Sequence, residues 1–406
     1  MKKGWQLKQL GELAELKGRI GWRGLTAKEY TMKGPLFLSV HSLNYGDYVD
    51  FRDAFHISEE RYVESPEIML QKDDVLICKD GAGIGKVGIM GKLPDRATIN
   101  SSLLLIRSGK EILPKFLYRC LCSPYFQQIV NSRLNGATTP HLYQRDITEF
   151  PIVLPPLAEQ QRIVGLLDEA FEGLATAKAN AEKNHQNART LFESHLQSVF
   201  SQRGPGWVDK SLGNLCEVFA DGDWVESKDQ SLDGVRLIQT GNVGEGVFKD
   251  RADKARYISE ATFKRLRCTE IFEGDCLISR LPDPVGRSCI LPDTGERMIT
   301  AVDCTIVRFD KKRFLPELFN HYSQSDDYLR TVAKECTGTT RNRISRSNLA
   351  LTSIPVPPLQ EQKRLAAIFD ALTAETQRLA RLYERKLAAL EALKKSLLHQ
   401  AFSGHI

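Results

Sequence analysis

The sequence contains no apolar run near the ~18 residues that a membrane-spanning helix needs, so no such helix is predicted. Cys-x-x-Cys is missing too. The nine cysteines, at 78, 120, 122, 216, 268, 276, 289, 304 and 336, are odd in number and scattered, which argues against a disulfide framework and a zinc site. They read as reduced, mostly buried thiols. Catalytic signatures are equally scarce: there is no His-Glu-x-x-His, no Gly-x-Ser-x-Gly, and no Asn-Pro-Pro-Tyr or Asp-Pro-Pro-Tyr. The stretch from Gly81 to Lys86 resembles a phosphate-cradling loop. It fails at both ends, with Asp80 before it and Val87 where Ser or Thr is needed, so a turn between two strands is predicted. These gaps point to binding rather than catalysis, with no metal and no cofactor.

A strong excess of one charge is also lacking. Basic residues number 56 and acidic 51, a net charge of +5, which is mild for a protein that grips DNA unaided. If DNA is the ligand, the basic residues must cluster on one face or a partner must supply part of the phosphate contact. Residues 1–13 have no signal-peptide core or cleavage site, so a cytoplasmic protein is expected. Apolar residues at 42% and charged residues at 26% are globular values, and 406 residues exceed one ordinary core.

What the sequence does have is a copy of itself. Gly4-Trp5, Lys8, Leu10-Gly11 and Leu13 return as Gly206-Trp207, Lys210, Leu212-Gly213 and Leu215. Leu113-Pro114 returns as Leu315-Pro316, Pro155-Pro156-Leu157 with Glu159-Gln160 as Pro357-Pro358-Leu359 with Glu361-Gln362, and Phe200-Ser201 as Phe402-Ser403. A period of about 200 residues is far too long for a solenoid and marks a duplicated domain pair.

After each Pro-Pro-Leu the pattern becomes helical. The apolar seam runs Ile163, Leu167, Ala170, Leu174, Ala177, Ala181, Ala188 and Leu191 in copy one, and Leu365, Phe369, Leu372, Leu379, Tyr383, Leu390, Leu393 and Leu397 in copy two. These are heptad a and d positions. Residues 157–200 carry four basic against six acidic groups and residues 359–402 eight against five, so two antiparallel helices pairing with each other are predicted. The resulting fold class is α+β: recognition domains at 1–155 and 203–357, and spacer helices at 156–202 and 358–406. Within the domains, short strands around 74–79, 87–90 and 102–106 precede a helix over 114–134. Copy two places strands at 275–279, 288–291 and 304–309, then a helix over 316–335.

The loops before each Pro-Pro-Leu are dense in hydroxyl, amide and guanidinium groups. Such groups hold phosphates and read base edges. The candidate DNA contacts are Thr138, Thr139, His141, Tyr143 and Arg145 with Lys79 and Lys86 in copy one. In copy two they are Thr339, Thr340, Arg341, Arg343 and Arg346 with Arg280 and Arg287.

This layout resembles the specificity subunit of type I restriction–modification enzymes. The resemblance is carried by Trp5 with Leu10-Gly11, Trp207 with Leu212-Gly213, the Gly-Ala-Thr-Thr and Gly-Thr-Thr loops at 136–139 and 338–340, and the doubled Pro-Pro-Leu-x-Glu-Gln. It implies two target-recognition domains that each read one part of an interrupted asymmetric DNA sequence, with the helices as a coiled-coil spacer of fixed length. It also implies two methyltransferase subunits as partners and, through them, motor-nuclease subunits that own the chemistry. Copy one has Pro140-His141 where copy two has Arg341-Asn342, so equivalent base contacts do not follow. The competing expectations are a scaffold protein with two ligand domains and no DNA, which would bind no duplex in a salt-dependent way, and a self-contained nuclease, which would cut with only a divalent metal added.

Overall fold

The computed structural model describes residues 4–19, 25–134, 141–338 and 342–403. The chain forms two compact units, residues 1–181 with 385–406, and residues 182–384.

In the first unit, strands Ala14–Gly18, Leu103–Ser108, Val75–Cys78 and Val87–Ile89 form a four-stranded antiparallel sheet in that order. A second sheet joins Phe55–Ile57, Tyr30–Leu38 and Ala97–Ile99, the last pairing parallel with residues 36–38. The inner strands are buried on both faces, which explains their unbroken apolar sequences. Alternate residues of Val75–Cys78 enter different cores: Val75 and Ile77 face Phe116, Leu117 and Ile163, while Leu76 and Cys78 pack with Leu38 and Ile99. The second unit repeats this plan with Cys216–Asp221, Cys304–Phe309, Cys276–Ser279 and Ser288–Ile290, and with Gln230–Ser231, Tyr257–Ile258, Val235–Ile238 and Met298–Thr300. Cys276 and Ile278 again face one core and Leu277 the other. All nine cysteines are free thiols, six of them buried.

The helix expected over 114–134 is two helices, Pro114–Leu121 and Pro124–Leu134. Pro124 has no N–H to continue the first, and the Ser123 hydroxyl accepts the Phe126 N–H at 3.4 Å to start the second. Copy two breaks likewise into Pro316–Tyr322 and Asp326–Lys334, with Ser325 capping Tyr328 at 3.3 Å.

The doubled motif joins each domain to a long helix. Residues 151–154 form a strand antiparallel to Gln6–Gln9, then Pro155-Pro156 end it and the helix Leu157–Gln202 begins. In copy two Ser353–Val356 pairs with Val208–Ser211 and leads into Leu359–Phe402. The motif glutamines are fully buried and satisfied. Gln160 accepts the Leu113 N–H at 2.8 Å and donates to the Glu111 and Pro155 carbonyls at 2.8 and 2.9 Å. Gln362 accepts from Leu315 at 2.9 Å and donates to Arg313 and Pro357 at 3.0 and 2.9 Å.

Within each unit the long helices meet in antiparallel register. In the first, Lys394 lies 5.1 Å from the centre of the Phe171 ring and Lys178 pairs with Glu391 at 2.7 Å. In the second, His185 reaches Glu384 at 3.4 Å, while Phe192, His195 and Phe200 gather on Phe369. The predicted seam holds at Ile163, Leu167, Ala181, Ala188, Leu365 and Phe369, all buried. It drifts elsewhere: Leu191 and Leu393 are about half exposed, and Leu196, Phe200, Leu398 and Ala401 are buried instead. An α-helix turns once per 3.6 residues, so a strict seven-residue stripe rotates off a straight contact by ~20° per heptad.

Candidate nucleic-acid interface

In the first unit the turn Gly81–Gly83 links strands Val75–Cys78 and Val87–Ile89, as the sequence predicts. The Cys78 N–H donates to the Lys86 carbonyl at 2.8 Å, which brings Lys86 back beside the Lys79-Asp80 pair. Residue 142 closes on the same hairpin, its N–H reaching the Lys79 carbonyl at 2.9 Å. His141 contacts the Asp80 carboxylate through Nδ1, and the exposed Tyr143 ring packs edge-on against it with centroids 4.6 Å apart. Lys79 lies 3.4 Å from Asp80, while exposed Lys86 donates to Asn44 at 2.6 Å. Arg145, on the helix Gln144–Thr148, is exposed and makes no side-chain hydrogen bond among the described residues. Lys79, His141 and Tyr143 therefore gather at one loop cluster. Thr138 and Thr139 lie outside the described residues.

The second unit builds the same place differently. Thr337 and Arg343 exchange two backbone hydrogen bonds of 2.9 Å, closing the loop that holds Gly338 at φ 119°, a conformation favouring glycine. Arg343 and Arg346, each about half exposed, face Asp303 at 3.0 Å and Asp221 at 3.9 Å. Exposed pairs of this kind contribute about 0–1 kcal/mol, so a phosphate or base edge displaces the carboxylate at little cost. Thr339, Thr340 and Arg341 lie outside the described residues.

Two expected contacts are corrected. Arg280 is buried, donating to the Val302 carbonyl at 2.6 Å and pairing with Asp221 at 3.1 Å; burial pulls its pKa below the usual guanidinium value. Arg287 is buried as well. Its guanidinium donates to the carbonyls of Val243, Leu281, Pro284 and Thr240 at 2.7, 2.7, 2.9 and 2.9 Å. With four of five donors spent on backbone, Arg287 shapes loops and does not project from the turn. Sequence reasoning overlooked a different basic cleft in this unit, lined by Arg251, Lys254 and Arg256. Three cations within six residues were the signal that could have found it. Among the described residues no group of His, Cys, Asp or Glu could hold a metal ion, and no helix is long and apolar enough to cross a membrane.

Two scaffolds of one plan, carrying unlike polar loops, are what a doubled recognition module presents. The sequence profile of the type I restriction modification DNA specificity domain matches residues 2–183 and again residues 205–385. The chain belongs to this family. Its specificity-subunit relatives include that of the type I restriction enzyme MjaVIII from Methanocaldococcus jannaschii, 21% identical over 359 residues, covering 85% of this chain and 81% of the relative. Another is the EcoKI specificity subunit of Escherichia coli, 21% identical over 425 residues, covering 99% and 89%. Two solved structures share the fold. One, from work on complex assembly and conformational transition of the type I R-M system, has a TM-score of 0.80 at 20% identity, covering 100% of this chain and 99% of that one. The other is the HsdS subunit from Thermoanaerobacter tengcongensis, with a TM-score of 0.65 at 19% identity, covering 100% and 98%.

Proposed function

We propose that this chain is the sequence-specific DNA-binding subunit of a type I restriction–modification complex, with each globular half reading one part of a bipartite, asymmetric target. The observation that carries the reading is the specificity-domain match occurring twice, once over each half. The chain transfers no methyl group and cuts no strand; those reactions belong to its methyltransferase and restriction subunits. We further propose that it engages two methyltransferase subunits, with restriction subunits joining through them, in the cytoplasm.

The proposed contacts are Lys79, Lys86, His141, Tyr143 and Arg145 in half one, and Arg343 and Arg346 in half two. The loop residues Thr138, Thr139, Thr339, Thr340 and Arg341 complete the set. The number of base pairs between the two parts of the target is proposed to follow from helix length. Removing four residues from both long helices shortens each by about 6 Å, roughly two base pairs of rise. The test is to co-express the chain with its methyltransferase partner and map methylated sites. A two-part site that contracts in the shortened variant supports the reading, and a contiguous site or an unchanged gap refutes it.

A further inference from the structure

The second unit carries a cleft of about 350 Å³ whose wall is built by Arg251, Lys254 and Arg256 and whose floor is the turn Gln239 to Asn242. No acidic residue lines it. All three cations are exposed, and none makes an ion pair among the described residues. Asp250, next to Arg251 in sequence, is held by the buried Arg236, which also pairs with Glu296 at 2.7 Å. The Arg251 guanidinium lies over Gly241, where any side chain would take its place.

The cleft is a braced structure. Asn242 donates to the Lys249 and Asp250 carbonyls at 2.8 and 3.0 Å, fastening the 249–250 segment to the floor. Arg287 holds the floor from below through the Thr240 and Val243 carbonyls.

Copy one shows that the fold does not require these charges. Leu36–Leu38 pairs with Ala97–Ile99 as Arg236–Ile238 pairs with Met298–Thr300, which sets the register between the copies. The Ala54 N–H donates to the Phe51 carbonyl at 3.0 Å as that of Ala255 donates to Ala252 at 3.3 Å. Phe55 sits across from Phe37, and the Arg256 carbonyl takes the Leu237 N–H. Phe55 therefore occupies the place of Arg256 and Ala54 that of Ala255, and the segment leading to them is two residues longer in copy two, since the Asp50 N–H donates to the Ser42 carbonyl as that of Lys249 donates to the Asn242 carbonyl. In copy one Phe55 stacks on Tyr30, with centroids 4.4 Å apart. The one cation of the 50–55 segment in copy one, Arg52, is paired with Asp50 at 2.9 Å, whereas the three of copy two make no ion pair among the described residues.

We propose that this cleft of half two clamps the DNA phosphodiester backbone. The inference rests on the DNA-binding reading above and adds the ligand class and the residues. Asp253 lies between Arg251 and Lys254 in sequence but neither lines the cleft nor pairs with them, and exposed cations not engaged by a carboxylate attract phosphate through charge, with no demand for a particular base.

The test measures binding of the full complex to its methylated-site duplex and to a scrambled duplex of equal length, over a range of salt concentrations. For the triple variant R251A/K254A/R256A, the slope of log K against log salt becomes shallower by about 0.9 for each phosphate no longer neutralised, up to about 2.7. Both duplexes weaken alike, and the charge-keeping variant R251K/R256K retains the wild-type slope. If the triple variant does not fold, K254A alone, at an exposed side chain, reads a single phosphate. An unchanged slope in a folded variant would overturn the proposal. So would a loss confined to the target duplex with one base position relaxed, the mark of a base reader. A wild-type complex that binds neither duplex refutes the DNA-binding reading itself, an outcome distinct from both.

Discussion

Replacing Gln160 by alanine should detach the first long helix from its domain. The side chain is fully buried and satisfies three backbone groups: the Leu113 N–H and the Glu111 and Pro155 carbonyls. Its removal leaves them without partners in a site closed to water. One unsatisfied buried group costs about 1–3 kcal/mol, and partial relaxation limits the sum to about 2–4 kcal/mol. For units of this size that lowers the melting temperature by roughly 5–15 °C. Gln160→Glu sharpens the test. A carboxylate accepts the Leu113 N–H but repels the two carbonyls, whereas a protonated carboxyl donates to one of them. Burial raises its folded pKa above the usual glutamate value of about 4.3. Its stability deficit is therefore smallest below that value, where one carbonyl alone is left unpaired, and widens as pH rises through the raised folded pKa. Scanning calorimetry between pH 4 and 8 reads this directly. The wild-type-minus-Q160E difference should grow with pH, while the wild-type-minus-Q160A difference stays flat. Melting temperatures within a degree of wild type in both variants would refute the buried-clamp explanation of the motif. Gln362, bonded in the same way, is the control in the second unit.

Other perturbations reach the remaining parts of the molecule. Arg287→Met withdraws four hydrogen bonds from backbone carbonyls and should destabilise the second unit by about 3 kcal/mol or more, visible as an earlier melt. Arg343→Ala should weaken target binding by about 1–3 kcal/mol and relax a position in one part of the site only, as read from methylation of a randomised library. Burial pushes the Cys120 thiol up to about 12 and that of Cys304 up to about 11. In the native protein at pH 8 both should react with a thiol reagent at least ~100-fold more slowly than free cysteine, and at the free rate after denaturation.

The sequence disclosed what is periodic or repeated. The doubled Pro-Pro-Leu-x-Glu-Gln marked both helix starts because proline terminates a strand and opens a helix, an effect local enough to read from a few residues. The strand Val75–Cys78 was legible as an apolar run, although its division between two cores was not, since that depends on which elements cover each face. Orientation was the least legible property. Arg280 and Arg287 look like Lys86 in sequence, yet they turn inward because backbone carbonyls take up their donors, those of Val302 and Ile344 for Arg280 and those in the 281–284 and 240–243 loops for Arg287. The cleft of Arg251, Lys254 and Arg256 escaped notice for a related reason. Its cations are spaced through a turn with no helical or strand period, in a segment two residues longer than its counterpart in copy one.

The division of labour between the halves is tested most directly by exchanging residues 205–356 for the matching half of another family member and mapping methylated sites with the same methyltransferase partner. The prediction is a target in which one part is replaced and the other, with the gap between them, stays as it was. A target altered in both parts would contradict independent recognition by two halves.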